Sequence, residues 1–248
     1  MSAVAERICS RSDAVGILAQ AIAEHAHAFL PGVTLQQAIG VPPADWRSFA
    51  AYWERLHLDT CMVDGGTYRL RRYGAFELRR PLGLKQLPQG PYYQSKQYNP
   101  LNGGIVRHFE PLELTFSRHP VLVQVVDALV DVLDRTRGGV RRWRVELHPY
   151  RILARAGIDG LPTPEGLHRD GVDFVASLLV RRENVNGGTT TITDNERRPQ
   201  RSRTQTAPMD LVLADDMRVM HQVSALRPCD PGRTAFRDVL VLAFTAMP

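Results

Sequence analysis

His168 and Asp170 stand two positions apart in Pro164-Glu165-Gly166-Leu167-His168-Arg169-Asp170-Gly171-Val172-Asp173, between a Pro/Gly-rich loop and an apolar run. In extended backbone the side chains alternate faces, so the imidazole and the carboxylate point one way and Arg169 the other. Side by side they are two corners of a two-histidine, one-carboxylate facial site for Fe(II). The third corner is His221, in the strand-like segment Val219-Met220-His221-Gln222-Val223 after the turn Ala214-Asp215-Asp216. Such a facial set leaves coordination positions for a chelating 2-oxo acid and for O₂. Further on, Arg237 opens the last strand with Asp238 beside it. A guanidinium there suits bidentate capture of the far carboxylate of a 2-oxo acid. Taken alone, His-x-Asp reads most simply as a surface or structural pair. The strand-borne His221 and the later arginine turn it into a metal site.

These residues need a scaffold, and the chain supplies strands for one. Residues 143–153, 172–180, 189–193, 209–213, 218–226 and 236–245 read as short strands parted by turn signals and no helices, the pattern of a sandwich or barrel. The interior of a barrel is a dry pocket, where oxidation chemistry is kept from solvent. Residues 194–206 are polar and read as a mobile loop or long hairpin, and Gly187-Gly188 as a turn.

Ahead of the strands the texture is helical. Ser12-Asp13 precedes an apolar run over 14–30 closed by Pro31-Gly32, a capped helix. His25 and His27 fall near its end and face different ways, against a joint metal role. Pro42-Pro43 opens a second helix whose Trp46, Phe49, Trp53 and Leu56 stripe reads as core. A third runs from 121 to 133 and ends near Gly138-Gly139. Residues 67–73 alternate like a strand, with 75–78 as its expected neighbour after Gly74. The Pro/Gly/Tyr-rich stretch 81–104 fits either a binding loop or an ordinary surface excursion. The expected organisation is a single domain over 1–248, with a helical N-terminal part (1–62) and a β core (140–248) that carries the metal site.

Composition narrows the partners. With 248 residues, 44% hydrophobic and 23% charged, the chain matches a globular protein with ample core. Its apolar runs are too short for a membrane span, and residues 1–8 carry Glu6 and lack the apolar stretch of a signal peptide. Cys9, Cys61 and Cys229 are odd in number and far apart, which suggests reduced thiols and a cytoplasmic location. The net charge of +5 comes from scattered arginine pairs rather than an ordered basic stripe. A small-molecule partner therefore fits better than nucleic acid.

With Glu165 through Phe174, Arg182-Glu183-Asn184-Val185-Asn186-Gly187-Gly188, His221 and Phe236-Arg237-Asp238-Val239-Leu240-Val241 in view, the chain resembles the Fe(II)/2-oxoglutarate-dependent dioxygenases. More narrowly it looks like the bacterial family that contains L-isoleucine hydroxylases, whose members act on free amino acids. The likeness covers roughly residues 144–244; the N-terminal half matches no motif. It implies a mainly β protein with flanking helices and a double-stranded β-helix (jelly roll, cupin-like) core. It also implies Fe(II), 2-oxoglutarate and O₂ as cofactors, with His168, Asp170 and His221 as ligands and catalytic centre. Arg237 is the implied 2-oxoglutarate anchor, with Arg233 a rival and Thr189 or Thr191 as assistants. The implied reaction hydroxylates an unactivated carbon of a free L-amino acid or small derivative as 2-oxoglutarate becomes succinate and CO₂. Tyr150, Arg151, Glu165 and Asp173 are candidate substrate contacts, each with a plainer structural reading. His148 reads as a hydrogen-bonded core histidine. Two other functions compete. One is a tailoring oxygenase of natural-product biosynthesis that hydroxylates, desaturates or cyclises a modified amino acid or peptide-like molecule. The other is a non-catalytic jelly-roll binding module.

Overall fold

Two long strands, Arg142–Ala154 and Ala235–Ala246, run antiparallel in unbroken register from Ala235 opposite Ala154 to Ala246 opposite Trp143. A computed structural model describes residues 10–248 of the chain; Cys9 and residues 1–8 lie outside the described part. Phe174–Glu183 lines up on the other side of the final strand, then Leu211–Asp215, then His27–Leu30 at the edge. A smaller sheet of Pro199–Thr204, Thr189–Asp194 and Val219–Val223 faces this large one. Residues 194–206 are thus part of a β-hairpin.

The two faces of the large sheet bury different partners. Leu240, Leu242 and Phe244 alternate onto the helix side, against Arg11–His25 and Pro120–Arg137. Helix Pro120–Arg137 fits that face because Leu122, Val125, Val126, Leu129 and Leu133 repeat at helical spacing and are all but fully buried. Pro120 opens the helix and Gly138 closes it at φ 70°. On the opposite face, Val175, Val212 and Val241 meet Ile192 and Val219 of the small sheet. Two sheets packed through alternating inward side chains, with helices behind one of them, make the jelly-roll core. Trp46, Phe49, Trp53 and Leu56 all lie in the main core, as their spacing suggests.

The structure departs from the sequence reading in three places that bear on the site. The expected helix over 14–30 stops at His25, where Ala26 turns left-handed at φ 63°, and His27–Leu30 forms an edge strand. The period-two burial of Ala28 and Leu30 in this strand outweighs the helical run before it. Residues 32–39, past the expected breaker, form a further short helix. Finally, Arg69–Arg71 and Gly74–Arg79 are not each other's neighbours. Both pair with Arg142–Ala154, which is long enough to hold them end to end: Arg71 lies opposite Tyr150 and Gly74 opposite Leu147. Among the described residues no helix is long and apolar enough to cross a membrane.

Candidate metal centre

Paired backbone hydrogen bonds bring the two histidines together. The His168 N–H donates to the His221 carbonyl at 3.0 Å and the His221 N–H returns the bond at 2.9 Å, an antiparallel bridge between the 164–173 loop and strand Val219–Val223. Asp170 stands between the rings, with Oδ1 3.7 Å from His168 Nε2 and Oδ2 3.6 Å from His221 Nε2. One ligand atom from each of the three residues lies within 4.8 Å of the others. His168 Nδ1 is 2.8 Å from the Gly166 carbonyl, so it donates there and Nε2 is the ring nitrogen turned toward Asp170. Burial opposes protonation of His168, but Asp170 and then Glu165 outweigh it and raise the group to about 9. Burial followed by the charge on His168 lowers His221 to about 4. Asp170 thus favours positive charge on the neighbouring ring of His168. Two imidazole nitrogens and one carboxylate oxygen, with the outer nitrogen of His168 fixed by a carbonyl, are the donor set suited to Fe(II).

The backbone around Asp170 is anchored by a residue that the sequence reading had passed over as part of a turn. Asp216, 1% exposed, accepts hydrogen bonds from the N–H groups of Asp170, Gly171 and Val172 at 3.0, 2.7 and 3.2 Å. Burial and the neighbouring Asp170 push Asp216 up to about 7, against the pull of these three donors. Gly171 sits at φ 82°, and a Cβ there would lie 2.5 Å from the Tyr98 ring, so only glycine lets the 81–104 stretch close onto the loop. From that stretch Gln94 Nε2 donates to the Asp170 carbonyl at 3.1 Å. The excursion therefore covers the site, the first of its two open readings. Asp216→Ala removes the acceptor of all three N–H groups and is expected to weaken Fe(II) or Mn(II) binding about 10–100-fold. Anaerobic metal titration checks this, and an unchanged affinity would take Asp216 out of the site.

Arg237 lies in the same cavity as the three donors. It is 2% exposed, and among the described residues its guanidinium's one hydrogen bond runs from a terminal nitrogen to the Gln205 side-chain oxygen at 2.7 Å, with no partner at Nε. Burial and nearby Arg182 lower it to about 10. A buried guanidinium without a carboxylate implies an anionic ligand. The rival Arg233 is on the surface, with its side chain 65% exposed near Glu183. Thr189 and Thr191 are off by one residue: their hydroxyls pair with Thr204 and Ser202 across the hairpin, on the face turned away from the cavity. Thr190, between them, lines the cavity and carries a buried hydroxyl without a partner.

The same one-residue alternation separates the substrate candidates. Tyr150 lines the cavity, whereas Arg151 turns outward to Asp238 and Glu54 at 2.7 and 2.9 Å. Glu165 lies in the cavity, with Oε1 3.3 Å from His168 Nε2 and Oε2 buried without a partner. Asp173 is drawn away: it accepts from the Ala246 N–H at 2.8 Å and faces Arg137 at 3.4 Å. His148 is a buried core histidine, with Nδ1 2.5 Å from Arg71. Sequence reasoning missed three cavity arginines, Arg69, Arg71 and Arg107. The available signal was the alternation of residues 67–73, which puts Arg69 and Arg71 on one face.

Comparison with known proteins agrees with this geometry. The family model described as 2OG-Fe dioxygenase matches residues 50–243. The L-isoleucine-4-hydroxylase of Bacillus thuringiensis is 26% identical over 161 residues, 62% of this chain and 65% of that protein. The 3(1)-hydroxy-L-isoleucine 4-dioxygenase of Pantoea ananatis is 24% identical over 158 residues, 62% of this chain and 63% of that protein. This chain therefore spans just under two thirds of the length of either curated relative. The crystal structure of a bsmA homolog from Methylobium petroleophilum superimposes with a TM-score of 0.85 at 36% identity, covering 94% of this chain and 93% of that one.

Proposed function

The chain belongs to the 2OG-Fe dioxygenase family, and from that premise we propose that it oxidises an unactivated carbon of a free L-amino acid or small amino-acid derivative. The observation that carries this reading is the uncompensated Arg237 guanidinium in the same cavity as His168, Asp170 and His221. In the proposed assignment the two histidines and Asp170 hold Fe(II), and Arg237 takes the far carboxylate of 2-oxoglutarate, with Thr190 beside it. Bound iron and 2-oxoglutarate supply the activation of O₂ and the oxidising equivalents. One C–H becomes C–OH while 2-oxoglutarate and O₂ become succinate and CO₂.

The chain's own residues position and protect the substrate. Glu165 Oε2, buried and unpartnered, suits an ammonium group next to the donor set, and the Nε atoms of Arg71 and Arg107 suit a carboxylate. Held at both ends, an amino acid would lie with its carbon chain across the donor set. The Gln94 contact to Asp170 holds the cover down, which keeps bulk water from the reacting carbon. The complete donor set with an empty-handed arginine speaks for an enzyme over a passive binding module.

The test is a succinate-release screen over free amino acids and N-substituted derivatives. Mass detection of products gaining one oxygen or losing two hydrogens separates hydroxylation from desaturation or cyclisation. Release above background with at least one free amino acid is expected. Failure with all of them, in protein that forms the visible anaerobic Fe(II)–2-oxoglutarate charge-transfer band, would sink the amino-acid reading and leave the co-substrate site standing.

A further inference from the structure

The cavity wall has two chemically distinct parts. Around Arg237 the barrel strands contribute aliphatic side chains such as Val175, Ile192, Val212 and Val239. The part built by strand Arg69–Arg71, the cover and the short strand Val106–Arg107 that pairs with it contributes Arg69, Arg71, Arg107, Gln94 and Asn99, with Tyr92, Tyr150 and Ile152 between them. What sets it apart from the rest of the wall is its concentration of guanidiniums.

Its charges do not balance. With Asp170 set aside among the metal donors, three guanidiniums of the described residues (Arg69, Arg71, Arg107) share this part with two carboxylates, Asp59 beside Arg69 and Arg71 and Glu165 beside His168, a surplus of one positive charge (3 − 2). Asp59 is committed to Arg69 at 2.7 Å and lies 3.7 Å from Arg71. Burial and then Arg71 hold His148 well below its ordinary value, so it adds no charge and accepts from Arg71. Aromatic faces flank the other two guanidiniums, whose terminal nitrogens reach Asp59 and His148 from Arg71 and Gln94 from Arg107. Arg71 lies 3.5 Å from the Phe109 ring centroid and 4.7 Å from that of Tyr150, and Arg107 lies 4.9 Å from that of Tyr92. Stacking of this kind fixes the plane of a guanidinium and leaves its N–H edge free for an anion. Both Nε atoms are indeed buried without a partner. Arg71 and Arg107 are 2% and 3% exposed, so bulk water does not satisfy them.

We infer that the substrate is an anionic amino acid, with a second acidic group besides its α-carboxylate, recognised by Arg71 and Arg107. A neutral zwitterion would leave the surplus charge buried; a substrate of net charge −1 cancels it. One acid group meets the buried, unpartnered Nε–H of each of the two arginines, and the ammonium meets Glu165. This rests on the reading that 2-oxoglutarate occupies Arg237, which leaves the second part of the wall to the substrate. It makes the N-terminal half of the chain the part that selects substrate.

The test compares L-aspartate, L-glutamate and L-2-aminoadipate with L-asparagine and L-glutamine, with L-isoleucine and L-leucine, and with N-acetyl-L-glutamate. Succinate release gives turnover, and perturbation of the anaerobic Fe(II)–2-oxoglutarate absorption band gives binding without turnover. At least one acidic amino acid is expected to half-saturate at a concentration at least about 30-fold below that of its amide, the scale of a buried charge pair. In Arg107→Gln that advantage should collapse toward parity, and Arg107→Lys should restore part of it, which separates charge recognition from misfolding. Preference for isoleucine or leucine over every acidic compound overturns the inference and leaves the amino-acid reading intact. Turnover of N-acetyl-L-glutamate alone overturns the free-amino-acid reading and keeps the anion site. Silence of every anionic compound in both readouts overturns the inference.

Discussion

Asp170→Ala and His221→Ala are each expected to reduce substrate-dependent succinate formation to background and to abolish tight Fe(II) binding, with the fold kept. Each substitution removes one of only three donors, and Asp170 is the single anion among them. The fold should survive because the bridge between the two histidine segments is made by backbone atoms, which His221→Ala leaves in place. Asp216 likewise grips the N–H of residue 170 rather than its side chain. Removing the Asp170 carboxylate also relieves the repulsion that pushes Asp216 up. The measurements are anaerobic metal titration, succinate release and far-UV circular dichroism on the same preparations. Retained turnover in either variant would refute the ligand assignment. Lost turnover with lost secondary structure would instead make the residue part of the scaffold.

The site was legible in the sequence where it depends on strand periodicity within a short window, and illegible where it depends on loops meeting across the chain. His168 and Asp170 share a face because they are two apart, and His221 and Arg237 each lie on a strand whose alternation could be read. The same rule makes small errors total. Choosing Thr189 and Thr191 over Thr190, or Arg151 alongside Tyr150, shifts the register by one and turns the side chain to the other face. Arg69 and Arg71 were visible as an alternating pair, but Arg72 shows that both faces of that segment carry arginine, so composition could not say which face is buried. Asp216 and Gln94 left no local trace. Their partners lie 46 and 76 residues away, and only the folded chain brings a turn carboxylate and a cover amide onto the backbone at Asp170.

The fold follows the same division. The strands expected over 143–153, 172–180, 189–193, 209–213 and 236–245 and the helix expected over 121–133 lie within a few residues of those found, whereas the strand Pro199–Thr204 falls in the stretch open between loop and hairpin and 218–226 holds two strands. Residues 26–30 were misread because a period-two pair, Ala28 and Leu30, follows a long helical run, and only the partner strand Leu211–Asp215 decides the matter. Cover and cationic wall both come from the half of the chain in which the sequence alone offers no motif, although the family match extends over it from residue 50. The catalytic half is constrained by the geometry of metal donors, which forces particular residues at particular spacings. On the proposed reading, the substrate-facing residues of the other half have only to present charge at the right place, and many sequences do that.

Arg237→Met is expected to raise the half-saturating concentration of 2-oxoglutarate by about 30-fold to several thousand-fold, with Fe(II) binding little changed. The range follows from the cost of truncating one partner of a buried hydrogen-bonded charge pair, about 2–5 kcal/mol, at 1.4 kcal/mol per tenfold. Stability distinguishes this role from a structural one. A buried arginine that served the fold would have a carboxylate partner, and its loss would lower the melting temperature. Among the described residues the Arg237 guanidinium bonds the neutral Gln205 and no carboxylate, and burial beside Arg182 lowers it to about 10. Its replacement by an apolar side chain of similar length should therefore hold or raise the melting temperature of the protein without 2-oxoglutarate. Added 2-oxoglutarate should stabilise the parent and leave the variant unmoved, since a ligand stabilises only what it binds. Arg237→Lys should fall between the two, because it keeps the charge and loses the planar fork. Arg233→Met, on the exposed surface, should match the parent in every measurement. If Arg237→Met kept the parent's 2-oxoglutarate dependence, the co-substrate would have to sit on the Arg71 and Arg107 side, and the assignments of the two parts of the cavity would exchange.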